Sequence, residues 1–277
     1  MNRSFMMWPG FKRKALTLSY DDGTVFDKKL IEILDKNGIK CTFNLNSGRF
    51  LQDRRMSREE SIELYSGSAH EVATHGVYHI PLDKVGAPVA MNDILNDRVA
   101  LEEMFGTLIQ GIAYAFGTYT DEVMDVAKKC GIKYGRTIKP TEKFDLPDNW
   151  LCWNPTCSHG HPRLMDLARE FTEYQFGTSY ISKKPLLFYL WGHSYSFNDN
   201  DNWDVIEMFC EYMGGRDDVW YATNIEIYRY TEAFDRLEFS ADGSMVYNPS
   251  NIDVCIGYYF NEYLVPAGST VKIEPKR

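Results

Sequence analysis

Five side chains in this sequence are of types and spacings that suit acid–base or metal chemistry. The stretch "LTLSYDDGT" (16–24) ends a strand-like apolar run on two adjacent carboxylates, Asp21 and Asp22. Neighbouring side chains on a strand point to opposite faces, so the two acids cannot both simply face solvent. "THGVYH" (74–79) supplies His75 and His79, four apart, a spacing that puts them on one side of a helical turn and suits chelation of one ion. "FYLWGH" (188–193) ends on His193. Gly76 stands where H-E-x-x-H needs a glutamate, which excludes the thermolysin type of protease. Two imidazoles and one carboxylate from a neighbouring strand end would make an open zinc site, with a position left for water or substrate. Each piece alone has a plainer reading. D-D-G is a common turn string, and H-x-x-x-H can be two unrelated loop histidines.

The elements that must position these groups alternate. Strand-like runs at 15–20, 41–46, 70–75, 111–116, 133–138, 185–193 and 219–223 are separated by helical patterns. Those patterns cover 26–38, a stretch near 58–65, about 91–105, 121–131, and stretches around 203–213 and 224–236. Such alternation implies an α/β fold of βαβ units, with a parallel sheet or barrel. In a barrel, functional groups collect where strands end, and Asp21–Asp22, His75, Phe116 to Tyr119, Arg136 and His193 all fall there. Residues 1–238 are expected to form this unit. Residues 239–277, with turn strings "ADGS", "NPSN" and "PAG", read as a small antiparallel β appendage packed on it or placed at an oligomer contact. The stretch 139–161 reads as a long rim loop. Its Trp150 and Trp153 suit stacking on a sugar ring, or else pin the loop to the barrel. Cys157, His159 and His161 lack an evident fourth ligand for a second metal site, and His70 precedes its strand, away from the others.

With 277 residues, 44% hydrophobic and 25% charged, the chain can bury a sizeable core. A formal charge of −9 argues against a general nucleic-acid binder. The six cysteines form no C-x-x-C pair, which reads as reduced, mostly buried thiols in an intracellular setting. The opening "MNRSFMMWPGFKRK" is too short in its apolar part for a secretion signal, and no run is long enough to span a bilayer. The expected location is cytoplasmic.

"TLSYDDG", "THGVYH" and "LFYLWGHS", in that order and spacing, resemble the NodB-type polysaccharide deacetylases, carbohydrate esterase family four. The resemblance runs from about residue 14 to about residue 225. It implies a distorted parallel (β/α) barrel of about seven units, one short of eight. By matching positions it makes Asp21 the general base, Asp22, His75 and His79 the metal ligands, and His193 the general acid. A backbone N–H near Phe116 would meet the oxyanion, and Phe116, Tyr119, Trp150 and Trp191 would border the substrate. The implied cofactor is Zn2+, although two histidines and an aspartate also accept Co2+, Ni2+ or Mn2+. The implied reaction removes N-acetyl (or O-acetyl) groups from a carbohydrate, so the expected partner is a small-molecule or oligosaccharide substrate, with neither nucleic acid nor membrane. The C-terminal strands offer a homo-oligomer contact.

Three departures from the pattern bear on the site. Gly76 replaces a Ser or Thr whose hydroxyl braces the ligand loop, so another group must brace it. Ala113 stands where the family carries the arginine that orients the base; Arg136, one strand on, could take that role, or form a surface ion pair. Trp191 replaces the leucine of the acetyl pocket. Asp148 is a stand-in for the acid that tunes the catalytic histidine. Two other readings compete: an amidase acting on a small non-sugar amide, and a catalytically idle binding protein whose metal is structural.

Overall fold

A strand buried along its whole length must be covered on both faces, and every residue of Lys14–Asp21 is buried. The computed structural model describes residues 4–177, 184–259 and 261–274. In chain order, β1 (Ser4–Met7) is followed by β2 (Lys14–Asp21), α1 (Asp27–Lys36), β3 (Cys41–Leu45), α2 (Arg58–Tyr65) and β4 (Glu71–Thr74). Next come α3 (Ala87–Phe105), β5 (Gly111–Ala113), α4 (Asp121–Lys129), β6 (Tyr134–Arg136), β7 (Cys157–Ser158) and α5 (Leu164–Thr172). Then follow β8 (Leu186–Gly192), α6 (Ser194–Asp199), α7 (Asp204–Met213), β9 (Val219–Tyr221) and α8 (Asn224–Asp235). The last five strands are β10 (Glu238–Phe239), β11 (Met245–Tyr247), β12 (Val254–Tyr258), β13 (Asn261–Val265) and β14 (Thr270–Lys272).

The central sheet runs β6-β5-β4-β3-β2-β8-β7, every neighbour parallel, with β9 pairing the start of β2. Its two edges meet. The Trp153 N–H donates to the Gly135 carbonyl at 2.7 Å, and the Trp153 carbonyl accepts from the Thr137 N–H at 3.0 Å. Three residues on, the Thr156 N–H donates to the Tyr189 carbonyl at 2.8 Å, and Cys157–Ser158 pair with Leu190–Trp191. The sheet thus curls into a distorted (β/α) barrel. The segment expected to be a rim loop ends in a barrel strand, too short to show a period of its own. Leu164, Leu167, Ala168 and Phe171 form the buried face of α5, a helix absent from the expected series.

At one end the barrel is plugged. The α8 N-terminus lays its Asn224 N–H on Thr42 Oγ1 at 3.0 Å and its Ile225 N–H on Glu71 Oε2 at 2.9 Å, where β3 and β4 begin. The strands' C-terminal ends therefore form the open end. The late strands make two three-stranded antiparallel sheets, β1-β12-β13 and β10-β11-β14. The first takes in Ser4–Met7, so pairing crosses the 238/239 division. Tyr230 of α8 fastens these strands to the barrel, donating its hydroxyl to the Met7 carbonyl at 2.6 Å and accepting from the Cys255 N–H at 2.8 Å. All six cysteines are free thiols. Among the described residues no helix is long and apolar enough to cross a membrane.

Trp153 is 1% exposed, with its ring on Tyr134 and Tyr189 where the barrel closes. Trp153→Ala should cost about 3–5 kcal/mol of stability, read as a lower urea midpoint. An unchanged midpoint would contradict closure through this residue.

Candidate active site

Strand β2 stays in register with β3 to the Asp21–Asn44 pair. The backbone then turns left-handed, with φ of 84° at Asp22 and 62° at Gly23. That turn breaks the strand's alternation and brings both carboxylates into one cleft. A non-glycine residue at such an angle is strained and needs outside support. Residues 54–56 supply it: the Val25 N–H donates to the Arg54 carbonyl at 2.9 Å and the Met56 N–H to the Gly23 carbonyl at 3.0 Å.

His75 and His79 lie on a loop, not on the helical turn that their spacing suggests. Positive φ at Gly76 (78°) and His79 (55°) excludes a helix there, yet the loop brings the two rings to 4.7 Å. His75 Nδ1 lies 2.7 Å from the Ala113 carbonyl, which can only accept, so Nδ1 carries a hydrogen and Nε2 is the ring atom turned to the cleft. That Nε2 is buried and has no hydrogen-bond partner among the described residues, its nearest carboxylate oxygen being Asp21 Oδ2 at 3.8 Å. Burial, then His75, lowers the pKa of His79 to about 4, which keeps the His79 ring neutral. Asp22, His75 and His79 each offer one ligand atom, all within 4.8 Å of one another, and this is the one such cluster among the described residues. Two imidazoles, one with a buried Nε2 that makes no hydrogen bond, beside a carboxylate fit a divalent cation.

The hydroxyl missing at Gly76 is replaced by two acids on the inner face of α3, one helical turn apart. Asp97 accepts from the Ser47 N–H at 2.7 Å, the His75 N–H at 3.2 Å and the Thr74 hydroxyl. Asp93 accepts from the Tyr78 N–H at 3.1 Å. Asn46 Nδ2 donates to the His75 and Gly76 carbonyls, both at 2.8 Å. A Cβ on Gly76 would meet Asp93 Oδ2 at 2.2 Å, so the glycine and the acid occupy one space between them.

Each carboxylate at the strand end has its own buried guanidinium. Arg136 donates through Nη2 to both oxygens of Asp21, and Asn44 Nδ2 adds a bond to Oδ1 at 2.8 Å. Burial pushes the Asp21 pKa up, but Arg136, then His75 and His193, outweigh it and hold it at about 2. Ala113 and Arg136 are cross-strand partners, so the arginine stands beside the position where the family carries one. Asp22 Oδ1 accepts from Arg55 Nη2. Nothing in the pattern around "DRR" (53–55) marks Arg55, and the sequence reading missed it, as it did Asp93 and Asp97.

His193 ends the β8 turn, with Nε2 3.8 Å from Asp21 Oδ2 and 4.0 Å from Asp22 Oδ2. Burial lowers its pKa, against the pull of Asp21 and Asp22. Asp148 is not near it, lining a separate cavity with Phe5 and Asp235. Phe116 and Trp191 do border the reactive groups, with Tyr114, Gly117, Ile138 and Tyr195, in a cleft of about 350 Å³. Tyr119 and Trp150 do not line it. Tyr119 stacks on Tyr114 at 5.7 Å, and Trp150 sits edge-on to Trp153 at 4.9 Å and Tyr228 at 5.3 Å. Cys157 is a core thiol, His159 stacks on Tyr20, and His161 faces Glu142 at 3.6 Å, so these three share no centre.

A (β/α) barrel with an aspartate pair, a histidine pair and a further histidine at its strand ends is the arrangement the motifs imply. The sequence profile of the polysaccharide deacetylase family matches residues 9–135, so that this part of the chain is similar to the NodB-type deacetylases, carbohydrate esterase family four. The YxkH protein of Bacillus subtilis, described as a polysaccharide deacetylase, is 22% identical over 128 residues. That match spans 46% of this chain and 46% of the relative, about half the length of each. A Mycobacterium smegmatis structure described as a polysaccharide deacetylase superposes with a TM-score of 0.60 at 17% identity, covering 82% of this chain and 93% of that one. A Bacillus anthracis structure described as a pseudoenzyme of carbohydrate esterase family four gives 0.50 at 16% identity, covering 81% and 68%. At such identities the structural likeness shows the fold alone.

Gly76→Ser, which restores the family residue, should destabilise the fold by about 1–3 kcal/mol, because both the backbone angle and Asp93 oppose a side chain there. Adding Asp93→Ala should recover part of the thermal midpoint. Full tolerance of the single variant would show that the ligand loop is not braced this way.

Proposed function

We propose that the protein is a metal-dependent hydrolase that removes N-acetyl (or O-acetyl) groups from a carbohydrate. The convergence of Asp22, His75 and His79, with a buried His75 Nε2 that makes no hydrogen bond, is the observation that carries this reading. Those three residues would hold Zn2+, or Co2+, Ni2+ or Mn2+. A divalent ion there supplies Lewis acidity, polarising the acyl carbonyl and lowering the pKa of water.

The chain's own residues do the rest. Asp21, kept ionised by Arg136, accepts the proton of the attacking water. Phe116 stands on a left-handed turn at φ 58° on the cleft rim, where its N–H suits a developing oxyanion. His193 delivers a proton to the leaving amine, which cannot depart as an anion. Burial favours the neutral imidazole, so that proton must reach His193 during the reaction. Asp21 Oδ2, 3.8 Å from His193 Nε2, is the near source.

A second reading, an amidase acting on a small non-sugar amide, is supported by the cleft wall. Tyr114, Phe116, Ile138, Trp191 and Tyr195 suit a planar apolar group as well as the face of a pyranose. A catalytically idle binding protein fits less well, since neither Asp21 nor His193 is needed to hold an ion. The six free thiols support a cytoplasmic setting.

Acetate release from N-acetylglucosamine oligomers and ammonia release from small amides, each with and without chelator, separate the readings. Asp21→Asn should keep the metal and lose about 10²–10⁴-fold in turnover. Asp22→Asn should lose the metal itself. If both variants stay fully active on a proven substrate, these roles are wrong. Arg55→Ala should weaken ion binding about 10–100-fold in a chelator competition, by releasing the second oxygen of Asp22. Unchanged affinity would limit Arg55 to bracing the loop.

A further inference from the structure

Beneath the cleft, the loop after β2 meets the loop after β8, and four polar side chains are buried together there: Thr24, Asp27, Tyr65 and Ser194. Thr24 and Asp27 follow the Asp21–Asp22 pair, and Ser194 follows His193. Asp27 Oδ1 accepts from the Ser194 hydroxyl, and Oδ2 accepts from the Tyr65 hydroxyl at 2.6 Å. The Thr24 and Ser194 hydroxyls are 2.9 Å apart. When Asp27 is ionised it only accepts, and the donors then run one way: Thr24 to Ser194, and Ser194 to Asp27. None of the four lines the cleft. Asp27 has hydroxyls but no cation beside it, and burial pushes its pKa up to about 7. A carboxyl group placed at that cost, with both oxygens used, ties two segments together.

His193 needs such a tie. Its Nε2 stands off from Asp21 and Asp22 at 3.8 and 4.0 Å, beyond hydrogen-bond reach of either, and its ring contacts are the aromatic faces of Trp191 and Tyr195. The placement of its imidazole therefore depends on where the backbone at 193–194 is anchored. We propose that Asp27 is a positioning residue that, through Ser194, fixes His193 opposite Asp21 for proton delivery to the leaving group. The inference rests on the reading of His193 as proton donor.

A matched pair of probes isolates this role: 4-nitrophenyl acetate and 4-nitroacetanilide share acyl group and ring. Nitrophenolate leaves without a proton, whereas the anilide nitrogen leaves only with one. In the metal-loaded protein, Asp27→Asn and Ser194→Ala should lower kcat on the anilide about tenfold or more, with ester hydrolysis within about twofold and metal content unchanged. Ser194→Thr, which keeps the hydroxyl, should recover the anilide rate. Equal losses on both probes would overturn the inference, since they report general damage to the site. Wild-type rates in Asp27→Asn and Ser194→Ala, while His193→Ala loses the anilide activity, would overturn it and leave the reading of His193 intact. Full anilide activity in His193→Ala would overturn that reading, and this inference with it. If Asp27→Asn does not fold, the Ser194→Ala and Ser194→Thr pair decides alone.

Discussion

The pairing of each active-site carboxylate with a buried guanidinium is the interaction on which the rest of this site depends. An ion taken out of water costs several kcal/mol unless a countercharge stands against it. Asp21 and Asp27 are both fully buried, and burial alone would raise both. Asp21, against Arg136, is held at about 2, whereas Asp27, against two hydroxyls, sits near 7. Hydrogen bonds are present in both cases, so the cation makes the difference. Without Arg136, burial would push the Asp21 pKa up, and a protonated acid accepts no proton.

Fixing those charges requires backbone that no regular element supplies. Asp22, His79 and Phe116 all have positive φ, and all three lie on loops at the open end of the barrel. Strain of this kind persists where surrounding structure over-determines it. Here the 54–56 strap holds Asp22, and the α3 acids hold the histidine loop.

The residues that converge in the cleft were legible in the sequence because adjacency and order carry them. Asp21–Asp22, His75, His79 and His193 each close a strand-like run, and a parallel barrel gathers strand ends. Their supports were not legible. Arg55 sits in a loop without periodicity, and Asp93 and Asp97 read as ordinary polar positions of a helix. The closing strand at 153–158 is too short to show alternation, and the pairing of β1 with β12 joins opposite ends of the chain, which no local pattern can announce. The α5 face, by contrast, has helical spacing and was simply not recognised. Tyr119 and Trp150 mark a different boundary: residue type alone cannot tell an aromatic that stacks on a ligand from one that stacks on Trp153.

The departures from the family pattern are coupled rather than independent. Asp21 has a guanidinium against both its oxygens, and it comes from β6, whose Arg136 is the register partner of Ala113 on β5. A side chain reaching in from β6 crosses more of the barrel interior and needs a surface to lie on. Trp191 provides it, with its ring 4.7 Å from the Arg136 guanidinium carbon, a cation–π contact that a leucine could not make. Ala113 leaves room beside it, and its carbonyl is free to orient His75. Ala113, Arg136 and Trp191 thus form one connected set, which keeps a cation against Asp21 and gives the cleft a tryptophan wall.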